Sequence, residues 1–153
     1  MNIKFSVVMI LNDRSEILIV RRGETAPWMP LKWSMPGGTI EEGETPLEAA
    51  CREIYEEVDI VIDRNKLQEF CDKGHAKYYV CPPGAWSGTS RLKLTDGILE
   101  NDMMSWEIAD SALKFDLIPW HAEVIREYQT LTESSEIVFR LRKIIQKEVR
   151  LLL

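Results

Sequence analysis

A chain carrying Gly38, then Thr45-Pro46 with Glu48, then Arg52-Glu53 and Glu56-Glu57 has few ways to fold through this stretch. Thr45 and Glu48 form a capping box with Pro46 at the first helical position, so a helix is expected to begin there. Leu47, Ala50, Cys51, Ile54 and Val58 recur at helical spacing and predict an apolar stripe that docks on a sheet. Arg52, Glu53, Glu56 and Glu57 fall on the other side, because side chains three and four apart are neighbours on a helix. Like charges on one face destabilise a bare helix. A solvated face could carry them for solubility alone, but the glycine loop just ahead favours another use. A hard divalent cation, held by carboxylate oxygens with waters and phosphates as its other ligands, would offset the repulsion. Arg52 is placed to pair with Glu56 one turn on and to fix the orientation of carboxylates.

Gly38, Glu44, Arg52, Glu53, Ile54, Glu56, Glu57 and Ile60 stand at the spacing of the Nudix hydrolase signature, which this segment resembles. Asp59 departs from it, in the place of the final glycine. That glycine ends the helix in a left-handed conformation, which Asp tolerates better than most residues, so a slightly costlier helix stop is expected. The resemblance implies an α+β fold: a Nudix-type α/β/α sandwich with a mixed β-sheet, here with an extra C-terminal helix. It implies a pyrophosphohydrolase using Mg2+, with Mn2+ as the alternative ion. Carried over, Glu56 and Glu57 become the principal metal ligands, and Glu53 a further ligand or the general base. A backbone carbonyl of the Gly37-Gly38 turn, assigned to Gly38, completes the shell. Glu100, ahead of Trp106, is a ligand candidate from outside the signature, with Asp102 as a second. Glu53 and Arg52 make up the expected catalytic pair.

The reaction so implied is hydrolysis of a diphosphate linkage in a nucleoside diphosphate derivative. A nucleoside triphosphate giving a monophosphate and pyrophosphate is the first expectation. ADP-ribose, another nucleotide sugar or a dinucleoside polyphosphate compete, because the signature reads the diphosphate and not what is attached to it. A nucleotide-binding sensor without turnover is the alternative from another class, and the full set of glutamates argues against it. For substrate binding, Arg22 at the end of a strand could reach a phosphate, and Trp28, Trp33, Tyr78 and Tyr79 could stack on a base. Core packing is the commoner use of such aromatics, so half or more of these four are expected in the core. Trp33 and Tyr79 are retained with Arg22 as substrate-binding candidates. His75 and His121 have no partners at metal-ligand spacing, and His121 is expected to be structural.

The remaining sequence predicts a single domain over 1–153. Strands are expected over Phe5–Leu11, Glu16–Arg22, Ile60–Ile62, Leu67–Cys71, Ala76–Cys81 and Met103–Trp106. Pro36-Gly37-Gly38 reads as a turn and Ser87-Gly88-Thr89-Ser90 as a loop. Pro119 opens a helix bearing Trp120, Val124, Ile125 and Tyr128. Ser134 or Ser135 is expected to cap a last helix bearing Ile137, Leu141, Ile144, Ile145 and Leu152. Its basic residues read as solvated, so packing on its own sheet is expected, with a homodimer contact left open. The net charge of −6 argues against nonspecific binding to nucleic acid or to an anionic membrane. The run from Ile3 to Leu11 is too short for a membrane span and lacks a cleavage site. Three cysteines without ligand spacing favour a reduced, cytoplasmic setting.

Overall fold

Strands buried on both faces need cover on both sides, and the helices provide it. The computed structural model describes residues 2–153. Its elements are β1 (Phe5–Ile10), β2 (Ile17–Arg22), β3 (Trp33–Ser34), β4 (Gly37–Thr39), α1 (Pro46–Val58), β5 (Ile60–Ile62), β6 (Gln68–Lys73), β7 (Ala76–Cys81), β8 (Trp86–Gly88), β9 (Asn101–Glu107), α2 (Ala109–Ala112) and α3 (Pro119–Leu152). A mixed sheet runs in the order β4-β1-β7-β6, with β1 parallel to β7 and the other pairs antiparallel. A second sheet is antiparallel, β3-β2-β9, and β5 pairs with β8.

Alternation along the strands sorts residues into two cores. Val7 and Met9 of β1, Ile17 and Ile19 of β2, and Tyr78 and Val80 of β7 join Ala112, Val124 and Ile125 of α2 and α3. Val8 and Ile10, Leu18 and Val20, and Tyr79 and Cys81 instead meet Ala50, Ile54 and Val58 of α1. The result is the α/β/α sandwich with a mixed sheet that the signature implied.

Helix α1 begins as its sequence dictates. The Glu48 N–H donates to Thr45 Oγ1 at 3.2 Å, and the Thr45 N–H to Glu48 Oε2 at 2.8 Å. It stops at Asp59, whose φ of 56° is left-handed. The Asp59 carboxylate also accepts from Thr89 and Arg91 at 2.7 and 2.9 Å, and so ties the loop after β8 to the helix end.

Three expectations change. Gly37–Thr39 is a strand, not a turn, because glycine lets it lie against β1: a Cβ on Gly37 would sit 2.2 Å from the Ser6 carbonyl oxygen. Trp86–Gly88 is likewise a strand, with Gly88 admitted against the Asp59 carbonyl. The C-terminal helix is present but continuous with the one opened by Pro119. Ser135 caps nothing, since its hydroxyl donates back to the Leu131 carbonyl at 2.9 Å, a bond compatible with a helix interior. From residue 130 onward this helix is exposed on every side and does not pack on its own sheet. No helix among the described residues is long and apolar enough to cross a membrane.

Candidate active site

Arg52 organises the acidic face of α1. Its guanidinium grips Glu44 through two bonds, Nε to Oε2 at 2.7 Å and Nη2 to Oε1 at 2.8 Å. Nη2 also donates to the Thr39 carbonyl at 2.9 Å, and Nη1 to Glu53 at 2.9 Å and Glu56 at 3.2 Å. One planar cation thus fixes the loop, the strand β4 and two helix carboxylates, geometry a lysine could not supply. Hydrogen bonding to Arg52 holds the Glu44 carboxyl down at about 2. The same contacts push the Arg52 pKa further above its already high value.

Glu53 and Glu57 lie deeper. The Glu57 carboxylate accepts the Gly37 N–H at 3.1 Å, and Glu53 lies against Gly38, where a Cβ would fall 2.3 to 2.5 Å from its carboxylate atoms. Burial raises the Glu57 pKa well above the ordinary carboxylate range, and the charges of Glu53 and Glu100 add to this. Burial also raises that of Glu53, against the opposing contact with Arg52.

Both carboxylates open onto a cavity of about 730 Å³. Its wall also includes Arg22, Gly37, Gly38, Thr39 and Glu100, together with Trp28, Met35, Ile118, Trp120 and His121. Arg22 donates from Nε to the Trp28 carbonyl at 2.7 Å and lies 5.6 Å from that ring's centre. Trp28 and Trp120 approach at 5.7 Å with a 31° tilt. His121 is buried, and its Nδ1 accepts the Met35 N–H at 3.0 Å. Burial holds its pKa down at about 3, so the ring is neutral and its other nitrogen carries the proton.

The sequence candidates divide accordingly. Gly38, Glu53, Glu57, Glu100 and Arg22 come together at the cavity. Arg52 and Glu56 do not line it and are hydrogen-bonded to each other. Trp33 does not line it; its ring packs edge-on against Phe115 at 4.8 Å. Tyr79 does not either, being buried in the core under α1. Asp102 is engaged by Arg21 through two 2.8 Å bonds. Trp120 and His121 were not among the expected binding residues. Only the long-range contact between the β3 region and α3 brings them to the cavity, and local spacing gives no sign of it.

Among the described residues, no three Asp, Glu, His or Cys side chains stand as a finished metal cage. The donors nevertheless fit a divalent cation. Glu53 and Glu57 are enclosed carboxylates of like charge, which a cation would stabilise, and oxygen donors suit a hard ion.

Comparison with known proteins agrees with this architecture. Residues 2–128 match the NUDIX domain family model. The 8-oxo-dGTP diphosphatase of Escherichia coli (strain K12) is 47% identical over 67 residues, which are 44% of this chain and 51% of that protein. The RNA pyrophosphohydrolase of Rhizobium meliloti (strain 1021) is 68% identical over 31 residues, which are 20% of this chain and 19% of that one. The chain therefore spans only about a fifth to a half of these relatives' length. Among solved structures, the MutT protein from Methanosarcina mazei Go1 aligns with a TM-score of 0.66 at 22% identity, covering 86% of this chain and 95% of that one. With the signature on α1, its glycines against β1, and a family match over most of its length, this chain belongs to the Nudix family.

Proposed function

We propose that this chain is a Mg2+-dependent pyrophosphohydrolase that splits a nucleoside triphosphate into a monophosphate and pyrophosphate. The observation that carries the reading is the pair of enclosed carboxylates, Glu53 and Glu57, at the mouth of Gly37–Thr39 and facing a cavity with Arg22 and Glu100. Glu53, Glu57 and Glu100, with the Gly38 carbonyl, are the groups to hold the ion. When bound, the ion would neutralise phosphate charge and lower the pKa of the attacking water.

The chain's own contributions follow from its contacts. Arg52 holds Glu53 in one orientation, so that its carboxylate can take the proton from the attacking water. As the new P–O bond forms, the bond to the pyrophosphate leaving group breaks. Arg22 offers positive charge on the cavity wall for a phosphate. Trp28 and Trp120 offer aromatic faces for the base. The activities named for the Escherichia coli and Rhizobium meliloti relatives, an 8-oxo-dGTP diphosphatase and an RNA pyrophosphohydrolase, support a phosphorylated nucleotide as the substrate class.

The test is a panel of nucleoside triphosphates, ADP-ribose and dinucleoside polyphosphates incubated with magnesium, with the products separated. Monophosphate plus pyrophosphate from a triphosphate is the expected result. Preferential cleavage of ADP-ribose would replace the substrate, and tight binding without turnover would replace the enzyme reading by a sensor.

A further inference from the structure

The last turns of α3 carry an apolar surface that the body of the protein leaves uncovered. Ile137, Leu141, Ile144, Ile145 and Leu152 are each more than half exposed, although all are large hydrophobic residues. At 3.6 residues per turn they share, with Val149, an arc of about 140°. Ser134 and Glu148 are its polar members. Arg140 and Lys147 border one edge and Arg142 the other, while Lys143 and Arg150 lie opposite. Phe139 departs from the pattern, lying on the opposite side and also more than half exposed, with the Lys143 ammonium 4.5 Å from its ring centre.

Charge is divided as sharply as hydrophobicity. Five Lys and Arg against two Glu leave residues 136–153 at +3, so the rest of the chain carries −9 of the net −6. The net charge therefore hides a basic segment, and the acidity of the whole chain does not exclude an anionic membrane for this helix. We propose that residues 136–153 form a peripheral docking surface for an anionic lipid bilayer, with the helix lying in the interface plane. The arc would enter the acyl boundary while the bordering Arg and Lys extend to the headgroups. A second copy of this chain is a poorer occupant. Two such helices would set basic borders against basic borders, with Glu148 as the only acid near the contact. The arc is also wider than the two-position seam that a paired helix covers.

The test uses the full chain and co-flotation with vesicles of equimolar phosphatidylglycerol and phosphatidylcholine, or of phosphatidylcholine alone. With about one kcal/mol for each unit of net positive charge near the surface, partitioning should be on the order of a hundredfold stronger on the anionic vesicles, and weaker in high salt. Leu141→Glu with Ile145→Glu alters only exposed positions, so the variant should remain folded and lose flotation. Absence of flotation by the native chain overturns the proposal, as does flotation unchanged in the double variant. A lipid-free dimer in sedimentation, broken by the same substitutions and without vesicle binding, overturns it in favour of a second copy.

Discussion

Gly37 and Gly38 are adjacent, yet alanine at each should fail in a different way. A Cβ on Gly38 would meet the Glu53 carboxylate at 2.3 to 2.5 Å. Ordinary contact lies near 3.4 Å, so Glu53 must retreat by roughly 1 Å, the scale of misplacement that costs about a hundredfold in rate. The retreating group is the far end of a flexible side chain, and its loss is one charge-assisted bond to Arg52, worth about 1.5–3 kcal/mol. Alanine recovers about 0.4–1 kcal/mol of that by restricting the unfolded chain. Gly38→Ala should therefore fold with a net loss of about 0.5–2.6 kcal/mol, and lose turnover about a hundredfold. A Cβ on Gly37 meets backbone instead, 2.2 Å from the Ser6 oxygen and 2.7 Å from the Val7 Cα. That strand cannot rotate away, so Gly37→Ala should destabilise by about 1–3 kcal/mol or more, as overpacking does. Thermal unfolding and kcat measured on both variants decide the matter. A folded Gly38→Ala protein with kcat within about threefold of native would refute the argument that Gly38 makes room for Glu53.

Three other outcomes follow from the contacts. Arg52→Lys removes the two-pronged grip on Glu44 and cannot reach Thr39, Glu53 and Glu56 together, so kcat should fall by about a hundredfold; equal kcat in steady-state assays would show that the network does not position Glu53. His121 has its pKa depressed from 6.5 to about 3, so unfolding takes up a proton between these values, and stability should drop as pH falls through this window, by up to about 1.4 kcal/mol per unit. In His121→Asn, whose side-chain oxygen can still accept the Met35 N–H, thermal melts should lose that part of the slope, and an unchanged slope would assign it elsewhere. Ending the chain after Ser134 removes only exposed residues, so the melting temperature should shift by less than about 3 °C; a much larger drop would show that the tail buries against the body.

Local chemistry made α1 legible in advance. Its start is a reciprocal pair of hydrogen bonds within four residues, and its stop is one residue able to adopt a left-handed backbone. The burial of β1, β2 and β7 was readable as apolar runs. What escaped depends on distant partners. Gly37–Thr39 and Trp86–Gly88 become strands because β1 and the end of α1 lie against them, which neither segment's composition records. The carboxylate face was legible as a group, but not its division. Spacing places Glu53, Glu56 and Glu57 together, whereas in the structure Glu57 accepts the Gly37 N–H, and Glu56, bonded to Arg52, does not line the cavity that Glu53 and Glu57 share. Trp120 and His121 reach the cavity only through the fold. Apolar periodicity in the tail signals that a face needs cover, without saying what provides it.

The central claim is that Glu53 and Glu57 form the cation-dependent centre for cleaving a diphosphate. Its most direct measurement is the magnesium dependence of nucleoside triphosphate hydrolysis in the native chain and in Glu57→Gln, with circular dichroism to confirm the fold. Removing this enclosed charge should leave the variant at least as stable without metal, raise the magnesium requirement and lower turnover by about a hundredfold or more. Near-native turnover of Glu57→Gln at limiting magnesium would contradict the account.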